Sequence, residues 1–160
     1  MIRKVELKDA EEIVKIYNHY ILNTVVTFEE EALTKADMEE RIKEKTKSNP
    51  WIVFEEEGHI LGYAYLGTFR ERSAFRHTKE SSIYLDKGVV GKGIGGKLYK
   101  ELIKLAKDYK VNVIIGVITL PNPASIVLHN KLEFERIGSF NEVGFKQDKW
   151  LDVDFWQKKI

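Results

Sequence analysis

The stretch "VVGKGIGG", Val89 to Gly96, constrains this chain more than any other. It packs four glycines into the six positions from Gly91 to Gly96. Glycine loses much backbone freedom on ordering, so such a cluster implies a use for its conformations or its small size. Upstream, "ESSIYLD" reads as a strand. Downstream, "IGGKLYKELIKLAKDYK" carries Leu98, Leu102, Leu105, Ala106 and Tyr109 on one helical face. "VNVIIGVI" follows, an apolar run of strand length suited to a sheet centre covered on both faces. Strand, glycine loop, amphipathic helix and buried strand together require helices layered on a sheet.

The remainder fits that frame. "IRKVEL" reads as a short strand, and Asp9 as the cap of a first helix with Glu12 three residues on. Ile13, Ile16, Tyr17, Tyr20 and Ile21 give this helix a buried face. Thr34 starts a second helix whose "EERIKEKTK" body is solvated. "PWIVFEEEGHILGYAYLGTF" reads as two strands joined at Gly58, and Pro121 and Pro123 interrupt the chain before a short helix, "ASIVLHNKL". "FERIGSF" and "KWLDVDFWQKK" form a closing β-hairpin. The 160 residues suffice for one full hydrophobic core. The expectation is a single α/β or α+β domain over 1–160.

Composition removes several function classes. A formal net charge of +1 argues against nucleic acid as a partner, which normally meets a clear basic excess. With no cysteine there is no disulfide, thiol nucleophile or thiolate metal site. His19, His59 and His77 lack metal-ligand spacing, and no metal is expected. "MIRKVELKDAEEI" contains no long apolar run, so neither signal peptide nor membrane span is expected and a cytoplasmic location is the default.

Two readings of the glycine loop fail on their context. A phosphate-binding P-loop needs Ser or Thr after Gly96-Lys97, where this chain has Leu98. A dinucleotide site needs an acidic residue at the end of the next strand, and Val111 to Ile118 has none. What survives is physical: backbone amides at the start of a helix near Ile94 attract an anion. A merely flexible, glycine-capped loop stays open on these residues alone.

"SSIYLDKGVVGKGIGGKLYKELI" resembles motif A of the GNAT superfamily of acyl-CoA-dependent N-acetyltransferases, and "LPNPASIVLHNKLEF" resembles its motif B. "YNHYILNTVVTF", "AFRHTKESSIYL" and "KWLDVDFWQ" extend the resemblance to the phosphinothricin and methionine-sulfoximine acetyltransferase branch, over essentially the whole chain. The resemblance implies a central mixed, mostly antiparallel twisted sheet flanked by helices, acetyl-CoA as co-substrate, and a homodimer. It also implies acetylation of the α-amine of phosphinothricin, methionine sulfoximine, methionine sulfone or a similar small molecule. The family's Gln or Arg at the loop head falls on Val89 or Val90, and its late motif B glycine on Glu133. Pyrophosphate binding then rests on backbone amides with Lys92 or Lys97.

Acetyl transfer needs a base for the ammonium, a polarised thioester and a proton for the thiolate. The resemblance assigns the base to Glu80 and the acid to His129. It assigns substrate binding to Phe75, Arg76 and His77, where a guanidinium would hold a carboxylate, with Arg70 and Arg72 as competitors. Coenzyme contacts fall on Ile83, Tyr84 and Leu85, on Gly91, Lys92, Gly93, Ile94, Gly95 and Gly96, and on Asn122 and Ser125. Tyr20, Phe28 and Tyr84 are candidate pocket walls, while Glu55 to Glu57 read as a solvated turn. Without cysteine, transfer is expected to be direct. Two alternatives stay open: another amine, such as a peptide N-terminus or a polyamine, or a non-catalytic acyl-CoA-binding domain.

Overall fold

The computed structural model describes residues 1–160. Its strands are β1 (Ile2–Lys4), β2 (Trp51–Glu56), β3 (His59–Thr68), β4 (Thr78–Leu85), β5 (Val113–Thr119), β6 (Glu135–Lys146) and β7 (Lys149–Lys159). Its α-helices are α1 (Ala10–Asn23), α2 (Lys35–Thr46), α3 (Ile94–Ala106) and α4 (Pro123–Lys131). The strands form one seven-stranded sheet in the order β1-β2-β3-β4-β5-β7-β6. Only β4 and β5 pair in parallel; the other pairs are antiparallel. The expected mixed, mostly antiparallel sheet is therefore present.

Both faces of the sheet are covered over β2 and β3, which is why strand segments such as "WIVF" read as continuous apolar runs. Successive side chains alternate: Trp51 and Val53 join a core with α1 and α2, while Ile52 and Phe54 join one with α3. Leu98, Leu102 and Ala106 are fully buried from α3, each leucine contributing about 2 kcal/mol. On the other face Ile13 and Ile21 of α1 and Met38 of α2 do the same.

Helix starts differ in how they are made. Thr34 caps α2 as expected, accepting from Asp37 N–H while the Asp37 carboxylate returns to Thr34 N–H. Asp9 occupies the cap position of α1, but its carboxylate does not cap the helix. It instead accepts from Arg3 at 2.8 and 2.9 Å and from Glu6 N–H, while Glu12 accepts from Ile60 N–H. A nearby guanidinium competes better for the carboxylate than helix amides do. The first strand of the closing hairpin runs on past "FERIGSF" to Lys146, meeting its partner across a turn at Gln147 and Asp148. No helix is long and apolar enough to cross a membrane.

Candidate active site

β4 and β5 run together for only four residue pairs, from Thr78 opposite Val113 to Ser81 opposite Gly116. Beyond that point β4 stays with β3 and β5 with β7, so the two middle strands part. A cavity of about 240 Å³ opens in the fork. Glu80 to Tyr84 form one wall, and Val117 to Thr119 the other. Val26, Thr27 and Phe28 close it on the α1–α2 side, and Tyr99, Asn122, Ser125 and His129 on the α3–α4 side.

The fork exposes peptide groups of β4. Asp86 N–H donates to Leu61 O at 2.9 Å, which sets the antiparallel alternation. Tyr84 and Ser82 therefore turn their peptides to β3, whereas those of Ile83 and Leu85 point into the fork. Of the three residues expected to contact coenzyme through amides, Tyr84 is engaged elsewhere, and its ring packs among Tyr17, Tyr20 and Tyr63. Leu85 O already accepts from the Tyr20 hydroxyl at 2.7 Å, leaving the Ile83 peptide and Leu85 N–H available.

Glu80 shares its face with Ser82, Tyr84 and the α1–α2 layer; Ser81, Ile83 and Leu85 face α3 and α4. Burial raises the Glu80 carboxyl above its ordinary value, and the positive charges of Lys45 and Arg70 pull it back in part. A carboxylate so placed is a competent proton acceptor near neutral pH.

His129 sits across the fork, on the opposite face. Only 4% of it is exposed. Its Nδ1–H donates to Ser125 O at 2.7 Å, which leaves Nε2 as an acceptor 3.1 Å from the Tyr99 hydroxyl. Burial lowers its pKa, against the opposing effect of the Ser125 carbonyl. His129 is thus neutral at neutral pH and holds no proton at Nε2 to give away, contrary to the expectation of a ready acid. The Tyr99 hydroxyl also meets Ser81 Oγ, which reaches on to Ile115 O at 3.3 Å. Burial raises the Tyr99 phenol above its ordinary value, so it stays protonated.

The glycine loop forms the start of α3. Gly93 caps the helix with φ +78°, and Gly91 has φ +87°, conformations that favour glycine. The first helical bond runs from Lys97 N–H to Gly93 O. The amides of Ile94, Gly95 and Gly96 therefore lack helical partners and are free to meet an anion. Val89 is buried in the core rather than facing the loop. Lys97 extends over the Phe54 ring, 6.0 Å from its centre. Asn122 caps α4, its Oδ1 accepting from Ser125 N–H at 3.1 Å, so only its amide nitrogen remains for a ligand. Glu133 takes the glycine-like φ of +60°, so the turn survives the replacement.

Phe75, Arg76 and His77 do not line the cavity. Phe75 packs edge-on against Phe69, Arg76 donates to Ser73 O at 3.1 Å, and the His77 ring meets Lys110 O at 2.8 Å. The residues missed from the sequence are Ser81, Ser82, Tyr99, Val26, Thr27, Val153 and the β5 wall. Tyr99, a phenol on an otherwise apolar helix face, is the one that carried a readable signal.

The profile of the acetyltransferase (GNAT) domain matches residues 2–154. The chain is 33% identical to the phosphinothricin N-acetyltransferase of Streptomyces viridochromogenes, over 98% of this chain and 86% of that protein. It is 34% identical to the L-methionine sulfoximine/L-methionine sulfone acetyltransferase of Salmonella typhimurium, over 99% of this chain and 94% of the relative. The crystal structure of a phosphinothricin acetyltransferase from Sinorhizobium meliloti, in complex with acetyl-CoA, superposes with a TM-score of 0.96 at 38% identity, covering 100% of this chain and 88% of that one. A cavity where parallel strands part beside a glycine-capped helix, and this match over nearly the full length, lead to one assignment: the chain belongs to the GNAT acetyltransferase family.

Proposed function

We propose that this enzyme transfers acetyl directly from acetyl-CoA to the α-amine of a small amino-acid analogue of the phosphinothricin, methionine sulfoximine or methionine sulfone type. The observation that carries the reading is the position of Glu80 and His129 on opposite faces of the sheet at the point where β4 and β5 part. Such a fork admits a thioester from one side and an amine from the other.

Glu80 takes the first proton, converting the substrate ammonium to a free amine. The amine nitrogen bonds to the thioester carbon, and the oxyanion that forms is met by the fork-facing amide of Ile83 or Leu85. The new C–N bond leaves a second proton on nitrogen. His129, neutral at Nε2, accepts it when that lone pair is released by Tyr99, and passes it to the departing thiolate as the C–S bond breaks. The pyrophosphate lies on the amides of Gly91 and of Gly93 to Gly96, with the Lys92 side chain beside them, the Lys92 N–H being taken by Val89 O. Arg70, exposed and on the Glu80 side, supplies the guanidinium for the substrate carboxylate in place of Arg76. The hairpin of β6 and β7 exposes Ile137, Phe140, Val143, Phe145 and Trp150, an apolar surface that supports a homodimer.

CoA-thiol release measured with phosphinothricin, methionine sulfoximine, methionine sulfone, an alanine-terminated peptide and spermidine tests this. The three amino-acid analogues should turn over and the others should not. A preference for the peptide or polyamine would overturn the substrate class. Acetyl-CoA binding without turnover on any amine would make the chain a binding domain.

A further inference from the structure

Gly67 lies directly opposite Glu80 in the β3–β4 ladder, so their side-chain positions share one face. Lacking a side chain, Gly67 leaves a notch beside the carboxylate. Lys45 reaches into it from α2: a Cβ at Gly67 would stand 3.6 Å from the Lys45 ammonium. The same ammonium lies 5.0 Å from the centre of the Tyr65 ring, two residues back on β3. Arg41 on α2 and Lys47 just beyond its end are paired with Glu29 and Glu44, while Lys45 has no carboxylate in ion-pair contact. A half-buried lysine without a partner is costly, and burial indeed lowers its pKa, with Arg41 adding to the effect and Glu80 and Glu29 opposing it.

We propose that Lys45, seated in the Gly67 notch, is a positioning residue that keeps the Glu80 side chain ionised at the edge of the fork. The inference rests on the reading of Glu80 as the base. The groups facing Glu80 are Lys45 from α2, with Arg41 behind it and held by Glu29; Tyr65 from β3; and Arg70 from the segment after β3. On β5 only the apolar Ile115 stands opposite. Lys45 is thus the one cation anchored on a helix beside the carboxylate, since Arg70 is exposed.

The test is the acid limb of the kcat/KM profile with acetyl-CoA and methionine sulfoximine, for wild type, Lys45→Met, Lys45→Arg and Glu80→Gln. Removing the cation should move the limb upward, because Lys45 opposes the effect of burial on Glu80, by about one pH unit, the low end of the effect of a neighbouring opposite charge. Lys45→Arg should restore most of it, whereas a purely structural role would lower rates without moving the limb. A limb that is unmoved in Lys45→Met yet abolished in Glu80→Gln overturns the role of Lys45 and leaves the base intact. A limb that persists at the wild-type midpoint in Glu80→Gln, as distinct from the alkaline rise produced by free amine, removes Glu80 as the base. In that event the ¹³C-carboxyl titration of Glu80, which needs no turnover, decides: an equal midpoint in wild type and Lys45→Met overturns the inference, and a raised midpoint in Lys45→Met upholds it.

Discussion

Gly116 and His129 occupy each other's space: a Cβ on Gly116 would fall 2.5 Å from His129 Nε2 and 2.8 Å from Cδ2. Gly116 is also the last β5 residue paired with β4, so the imidazole packs at the point where the fork opens. Gly116→Ala should therefore push the ring off Tyr99. The expected cost is about 1–3 kcal/mol of stability, as for overpacking elsewhere. The rate should fall with little change in acetyl-CoA affinity. Melting curves and steady-state kinetics check both, and a wild-type rate would show that His129 tolerates displacement.

Gly93→Val tests the helix start by a different route. A Cβ there meets nothing within 4 Å, so the penalty comes from φ +78° alone. That strain costs about 1–2 kcal/mol, which either reshapes the loop or is absorbed. Calorimetry with acetyl-CoA should show weakened binding by the folded variant. Unchanged affinity would remove the pyrophosphate from this loop.

Arg70 and Arg76 divide the substrate question. Arg70→Ala should raise KM for methionine sulfoximine by about 1.5–3 kcal/mol, the loss of a charge-assisted bond. Arg76→Ala, whose guanidinium is turned to Ser73 O, should leave it near wild type. The reverse order would restore the assignment drawn from the resemblance.

Much of this architecture was legible in the sequence because it is local. Thr34 announces α2 through capping chemistry, and "VNVIIGVI" announces a strand that is buried on both faces from Ile114 to Gly116. The glycines at 91 and 93 carry positive φ, as their density suggested. What escaped depends on contacts between distant segments. Asp9 has the spacing of a cap, but Arg3, brought alongside by β1, takes its carboxylate. Arg76 is the local exception: it follows a family pattern, yet its guanidinium folds back onto Ser73 O three residues earlier. The neutral state of His129 comes from burial between α3, α4 and β5, and the Lys45–Gly67–Glu80 arrangement joins three elements that no spacing connects.

The Arg3–Asp9 pair predicts acid sensitivity. Burial pushes the Asp9 carboxyl up, but hydrogen bonds from Arg3 and from Glu6 N–H outweigh it, so its folded value lies below the ordinary one. A depressed carboxylate adds stability that is present above its unfolded pKa and lost as pH falls through its folded pKa. Arg3→Met strands a buried carboxylate and should cost about 3 kcal/mol at neutral pH. The loss should shrink in acid, where Asp9 is protonated. Denaturation midpoints at neutral pH and in acid measure it; an equal loss at both would assign the effect to packing.

The most direct test of the account compares α-N-acetyl product formation from methionine sulfoximine and acetyl-CoA in wild type and Glu80→Gln. Product should appear in wild type in equal amount to free CoA thiol. In Glu80→Gln at neutral pH kcat should fall by about 10²–10⁴, with partial recovery as alkaline pH supplies free amine. Wild-type rates in Glu80→Gln at neutral pH, or thiol release without α-N-acetyl product, would contradict the account.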